Sequence, residues 1–267
     1  MSYLFYSSKK LLSILEASEY DKISDIVLEM EEELTGRKKE EIFENMRNRL
    51  IVMKESIDEA VKNPKISKSG MVGGDAKKVH DAAEEKLFMS EIMRKASEYA
   101  LAVMETNACM GRIVAAPTAG SSGIMPGVLW AIHDCWNVSE DDVVRGLLTS
   151  SGIGVIIANI STFSAALAGC QAEIGASTAM AAAAVSEIRG MKPERCINAA
   201  AIALKNMLGL ACDPIGGLVE VPCTKRNAIG VVHAMTASDM SLAGITSVVP
   251  FDEVVNAMNN VAKNMNE

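Results

Sequence analysis

Aromatic side chains make up only 4% of this 267-residue chain, and positive charge is in deficit, with 26 Lys and Arg against 34 Asp and Glu for a net of -8. A reader of duplex nucleic acid carries a basic surplus, so nucleic acid is not an expected partner. Proline is scarce beside glycine, seven against 19, which excludes collagen-like and proline-rich disordered chains. The sequence does not open with a basic start and a long apolar region, so no secretory leader is expected and the expected location is cytoplasmic. Six cysteines stand at 109, 135, 170, 196, 212 and 223 without one Cys-x-x-Cys, which removes zinc ribbons, ferredoxin-type runs and thioredoxin motifs. A phosphate-binding Gly-x-x-x-x-Gly-Lys-Ser/Thr and a zincin motif are missing, and Gly152-Ile-Gly154 lacks the third glycine and the strand-then-helix setting of a dinucleotide site. The three histidines, at 80, 133 and 233, are scattered.

What is present is a core of Ala, Met, Ile, Leu and Val, which suits packed helices. Ile42, Met46, Leu50, Met53, Ile57 and Val61 recur at steps of three and four, one stripe of an amphipathic helix that must end around Asn63-Pro64. A helical run is expected over 76–98. The spacing Ser139-Glu-Asp-Asp142 is a capping box, and Pro193 and Pro250 stand where helices begin. Residues 172–189 are alanine-rich and read as helix; only 153–157 could pass for a strand. The expected fold is all-α, eight to ten helices in a single domain over 1–267, with an amphipathic front end (1–65) and a core (66–267) carrying the site. Two long uncharged stretches, 113–133 and 146–172, raise the question of a membrane span. Their Pro, Gly, Ser and Asn content favours buried helices, so no membrane is expected.

Three glycine-rich segments lie between helices. Ser69-Gly-Met-Val-Gly-Gly-Asp75 can free backbone N–H groups at Gly70, Gly73 and Gly74, and Asp75 can cap the next helix; a plain capped turn is the bland reading. Residues 116–126 place Thr118, Ala119, Gly120, Ser121, Ser122 and Gly123 where amides and hydroxyls can meet a carboxylate. The third runs from Cys212 through a Pro/Gly loop to Cys223 and on to Arg226 and Asn227. With Cys170 it can supply three thiolates to one metal centre, although six buried thiols are the simpler reading of the cysteines alone.

These segments resemble the alpha chain of the iron–sulfur-dependent L-serine dehydratases of two-chain bacterial type. The resemblance runs from about residue 34 to 250 and rests on four stretches in order: 69–76, 107–123, 169–177 and 212–227. It implies an all-helical catalytic domain and a [4Fe–4S] cluster ligated by Cys170, Cys212 and Cys223, with Cys109, Cys135 and Cys196 left as packed thiols. It implies deamination of L-serine to pyruvate and ammonia, with a cluster iron acting as Lewis acid on the hydroxyl and a base removing the α-proton. The expected substrate contacts are Ser69, Gly70, Gly73, Gly74, Asp75, Asn107, the 118–123 loop, Arg226 and Asn227. Pyridoxal phosphate is not implied. Two departures accompany the match. The glycine-rich tail common in the family is absent or shortened at Glu267, and no histidine falls within the matching motifs. The resemblance therefore implies a beta chain that brings the base, in a hetero-oligomer. The rival readings are an iron–sulfur cysteine desulfidase, a non-catalytic iron–sulfur scaffold and, at low weight, a membrane transporter.

Overall fold

Twelve α-helices and no strand make up residues 1–265, the residues described by this computed structural model. In chain order they are α1 (Ser8–Ala17), α2 (Ile23–Thr35), α3 (Lys39–Lys62), α4 (Asp75–His80), α5 (Glu91–Ala108), α6 (Ile124–Trp136), α7 (Glu140–Ile160), α8 (Ala165–Ala168), α9 (Ala176–Ile188), α10 (Pro193–Lys205), α11 (Cys223–Leu242) and α12 (Phe251–Met265). The all-α expectation holds, and the count exceeds eight to ten because α4 and α8 are only six and four residues long.

Alanine sets the centre. Helix α9 carries Ala176, Ala179 and four consecutive alanines, 181–184, all fully buried, and it packs against α6, α7, α10 and α11. Small side chains let helix axes approach closely, and alanine has the highest helix propensity, so composition and packing agree here. Helices α3 and α5 extend the core, and the predicted stripe of α3 buries Ile42, Leu50, Met53 and Ile57. Its end at Lys62, with Asn63 as cap ahead of Pro64, follows from the steric restriction that proline places on its predecessor. Ser139 accepts from Asp142 N at 3.1 Å and starts α7 as the capping box requires; Pro193 opens α10.

Three local expectations are corrected. The run 76–98 is not one helix: α4 stops at His80, a 3₁₀ turn follows at Glu84–Lys86, and α5 starts at Glu91. Residues 153–157 lie inside α7, not in a strand. Asp75 is the first residue of α4 and Gly74 its cap, so Asp75 does not cap the helix by its side chain. Helix α7 is the one described helix long and apolar enough to cross a membrane, and 67% of that window is buried within the fold, mainly against α9 and α2.

Candidate active site

Cys170 lies at the entrance to α9, separated from it by a π-helical turn, Gln171–Gly175. Such wide turns shift the side-chain register of a helix and are frequent at functional sites. Gly169 precedes it at φ +70°, and a Cβ there would lie 2.8 Å from Leu210 O, so only glycine lets the chain at 210 pass so close. Gln171 fastens that crossing: its N–H donates to Leu210 O at 3.0 Å and its side-chain oxygen accepts from Gly209 N at 3.0 Å. The loop carrying Cys212 is thereby tied to the flank of Cys170.

Cys223 begins α11 and is buried, as is Cys170, whereas Cys212 is exposed on its loop. The three thiols lie within electrostatic reach of one another. Burial, then the charge of Cys212, pushes Cys170 up to about 12, while a hydrogen bond from Arg226 works in the opposite direction. Cys223 is raised by burial and then by the charges of Glu173 and Cys212. Arg226 also donates to Ala211 O at 2.9 Å and pairs with Asp213 at 2.8 Å, so one guanidinium holds both sides of the cysteine loop.

Cys170, Cys212 and Cys223, with Arg226 beside Cys170, are the thiols that the fold groups. Among the described residues, no group of three or more His, Cys, Asp or Glu is placed to hold one metal ion. A mononuclear site needs its sulfurs to converge at about 2.3 Å from a common centre, whereas an iron–sulfur cluster distributes thiolates over several irons. Three cysteines within electrostatic reach of one another, two of them buried and one beside a guanidinium, are the thiol donors available here. Neither Cys170 nor Cys223 has its pKa affected by Cys109, Cys135 or Cys196; of these three only Cys196 is buried, Cys109 and Cys135 being half-buried, and burial raises each thiol.

The other glycine-rich segments come to the same place. Thr118 caps a 3₁₀ turn, Ala119–Ser121, through a reciprocal capping box with Ser121. Asn227, fully buried on α11, links this loop to the cysteines: it donates to Gly120 O at 2.8 Å and Cys223 O at 2.9 Å, and accepts from Gly123 N at 2.9 Å. All its hydrogen-bonding groups are thus used within the protein. The hydroxyls of Ser121 and Ser122 are also turned inward, toward Ala116 O at 3.4 Å and Ala119 O at 2.8 Å, and both residues are fully buried. The outward-facing part of the loop is Thr118 and Ala119 together with the first amides of the turn, which have no partner within a helix by construction.

The 69–75 segment meets the cysteine loop through Glu220, which accepts from Ser67 at 2.7 Å and from Ser69. Lys225 of α11 pairs with Asp75 at 2.8 Å. The amides of Asp75 and Ala76 are already bound by the buried Glu105 carboxylate, whose pKa burial raises. Gly70, Gly73 and Gly74 all have positive φ, as their positions in this turn demand. Asn107 lies half-buried in the last turn of α5 and is not joined to the others by any of these links.

No histidine joins this group. His80 bonds to Glu98 at 3.0 Å, His133 to Val138 O at 2.8 Å, and His233 to Ala203 O at 3.1 Å. Burial holds His233 below its ordinary pKa. Sequence reasoning missed three residues that the fold puts here, Glu105, Ser177 and Glu220, and weighed Glu173 only as a carboxylate too weak to act as base on a carbon acid. Ser177 donates to Ala116 O at 2.7 Å, beneath the 118–123 loop. Glu173 faces Gly120, where a Cβ would come within 2.8 Å of its carboxylate, and it bonds to Thr118; burial raises its pKa. The signal was available: Glu173 and Ser177 lie inside the same motif as Cys170, and Glu220 lies between Cys212 and Cys223.

With this geometry in place, comparison with known proteins is informative. Residues 19–267 match the family described as serine dehydratase alpha chain. The probable L-serine dehydratase alpha chain of Bacillus subtilis is 43% identical over 98% of this chain and 87% of its own length. The L-serine dehydratase alpha chain of Peptoniphilus asaccharolyticus is 44% identical over 92% of this chain and 85% of its own. The L-serine dehydratase of Streptomyces coelicolor is 34% identical over 99% of this chain but only 58% of its own.

Proposed function

Because this chain belongs to the serine dehydratase alpha-chain family, we propose that it is the alpha subunit of a cytoplasmic lyase that deaminates L-serine to pyruvate and ammonia. Cys170, Cys212 and Cys223 hold a [4Fe–4S] cluster in this reading. The observation that carries it is the meeting of these thiols with the 118–123 loop, fastened by Asn227. When bound, the cluster supplies an iron without a protein ligand, a Lewis acid for the departing hydroxyl group.

The chain's own residues do the rest of the positioning. Arg226 offsets the negative charge gathered at Cys170 and keeps the cysteine loop against α11. The outward amides of the 118–123 loop hold the substrate carboxylate, where negative charge grows as the α-proton leaves. The buried Ser121 and Ser122 shape that loop from inside. Loss of the α-proton and of hydroxide gives aminoacrylate; its imine tautomer takes up water and releases ammonia and pyruvate, so the atoms balance.

The proton acceptor comes from a beta chain. A base must come within hydrogen-bond reach of the α-proton, and all three histidines here are bonded elsewhere. The Streptomyces relative supports this, because it carries a large part of its length outside the match. The test is anaerobic reconstitution of the chain with iron and sulfide, followed by pyruvate assay with and without the beta chain. Pyruvate and ammonia in equal amounts from L-serine, only with both chains, is expected. Sulfide release from L-cysteine without serine turnover would replace this reading with a desulfidase, and a full cluster without any turnover would leave a scaffold.

A further inference from the structure

The carboxylates around the cysteine loop are satisfied in different ways. Asp75 has Lys78 and Lys225, each at 2.8 Å, and Asp213 has Arg226. Glu105 binds two backbone amides through one oxygen while its other oxygen is buried without a hydrogen-bond partner, and Glu220 binds two serine hydroxyls; neither is in an ion pair among the described residues. Glu173 has the Thr118 hydroxyl and, among the described residues, no cationic side chain in ion-pair contact. It is half-buried in the π-turn, it faces the bare backbone of Gly120, and its charge is felt by Cys223. A partly desolvated carboxylate with no cation in contact is a favourable place for a cationic ligand group.

We propose that Glu173 is the recognition group for the ammonium of the amino-acid substrate, and so selects α-amino acids over the corresponding hydroxy and unsubstituted acids. This rests on the reading that the 118–123 loop holds the substrate carboxylate. In an α-amino acid the carboxylate and ammonium sit on one carbon, so their receptors must adjoin. Here they do: the Glu173 carboxylate borders Gly120, within the loop itself, and bonds to Thr118 at its start. The absent side chain at Gly120 leaves the space that this approach uses. Glu173 is not required to take the α-proton in this scheme.

The experiment uses the cluster-loaded alpha–beta enzyme and two competitive probes that cannot eliminate: L-alanine, with the ammonium, and propanoate, the same skeleton without it. Glu173→Gln keeps the shape and an acceptor for Thr118 but removes the charge. L-Alanine binding, by inhibition and by calorimetry, is expected to weaken on the order of tenfold or more, as for a hydrogen bond between charged groups, so that the preference over propanoate collapses. Iron content and melting temperature should stay at parental values. L-Alanine affinity within threefold of the parent would overturn the proposal, as would equal weakening of both probes, which would make Glu173 a support of the loop. A loss of kcat with unchanged L-alanine binding would assign it to proton transfer instead. If the parent enzyme bound L-alanine but produced no pyruvate from serine, the lyase reading would fail while the calorimetric comparison still judged Glu173.

Discussion

Asn227→Ala probes a side chain that joins the 118–123 loop to α11. Asn227 is fully buried and makes three hydrogen bonds of 2.8–2.9 Å, to Gly120 O, Cys223 O and from Gly123 N. Cys223 O belongs to α11 and has a helical amide available to it, so its loss is small. Gly120 O and Gly123 N belong to buried residues, and Asn227 is the side chain that pairs with each. Leaving a buried polar group unpaired costs about 1–3 kcal/mol, so two of them cost about 2–6 kcal/mol, with the lower half favoured if a water enters the space. At roughly 2 °C per kcal/mol for a chain of this size, melting should fall by about 4–12 °C, and by about 4–8 °C if a water enters. Asn227→Asp is not a rescue, because its second oxygen would face the carbonyls of Gly120 and Cys223 with no proton to offer. The assay is thermal unfolding of the alpha chain followed by circular dichroism, with iron retention measured on the reconstituted protein. A melting temperature within about 1 °C of the parent would refute the bracket argument, because even one orphaned group should exceed that shift.

Cys212→Ser should lose most of the iron after anaerobic reconstitution, while Cys109→Ser should keep it, since Cys109 is not among the grouped thiols; equal iron in both would dismiss the ligand set. Ser177→Ala removes the buried donor to Ala116 O and should destabilise the chain by about 1–2 kcal/mol, read by urea unfolding, with iron content intact. Glu187 is buried, bonds to Ile23 N at 2.8 Å, and has its pKa raised by burial. A raised carboxylate favours the fold when protonated, so its contribution falls as pH rises above the ordinary 4.5 and through its folded value. The stability of the parent relative to Glu187→Gln should therefore decline with rising pH, and parallel melting curves across pH would contradict it.

The parts of the fold legible in the sequence are those governed by local rules. The α3 stripe, the stop before Pro64, the Ser139 cap and the alanine helix each depend on residues within one or two turns. The break between α4 and α5 has no such signal. Residues 81–90 contain neither Gly nor Pro, and the segment is fixed by contacts such as Arg94 with Glu84 at 2.8 Å and His80 with Glu98 at 3.0 Å. The site follows the same division. The thiols and the glycine-rich loops are visible as motifs. The role of Glu173 depends on which cations fail to reach it, and that of Ser122 on which way its hydroxyl turns. Both are properties of the packed chain, and no spacing in the sequence encodes them.

The three cysteines also differ in what places them, and this bears on how the site is maintained. Cys170 follows from the core: it is 1% exposed and leads through the π-turn into a helix whose alanines are fully buried, so moving it means disturbing the centre of the protein. Cys223 is set by α11, which packs on α5, α9 and α10. Cys212 lies on an exposed stretch, with residues 215–219 exposed beside it, and depends on Arg226, Gln171 and the Glu220 contacts for its position. Substitutions in the core therefore act on stability first and on the thiols only through it. Substitutions at Arg226 or in the 211–219 loop act on the geometry of Cys212 while leaving most buried area untouched. Two thiols fixed by the core and one held by a few polar contacts form a grouping whose assembly can be lost without the fold being lost. The polar contacts of this loop are where that distinction is decided.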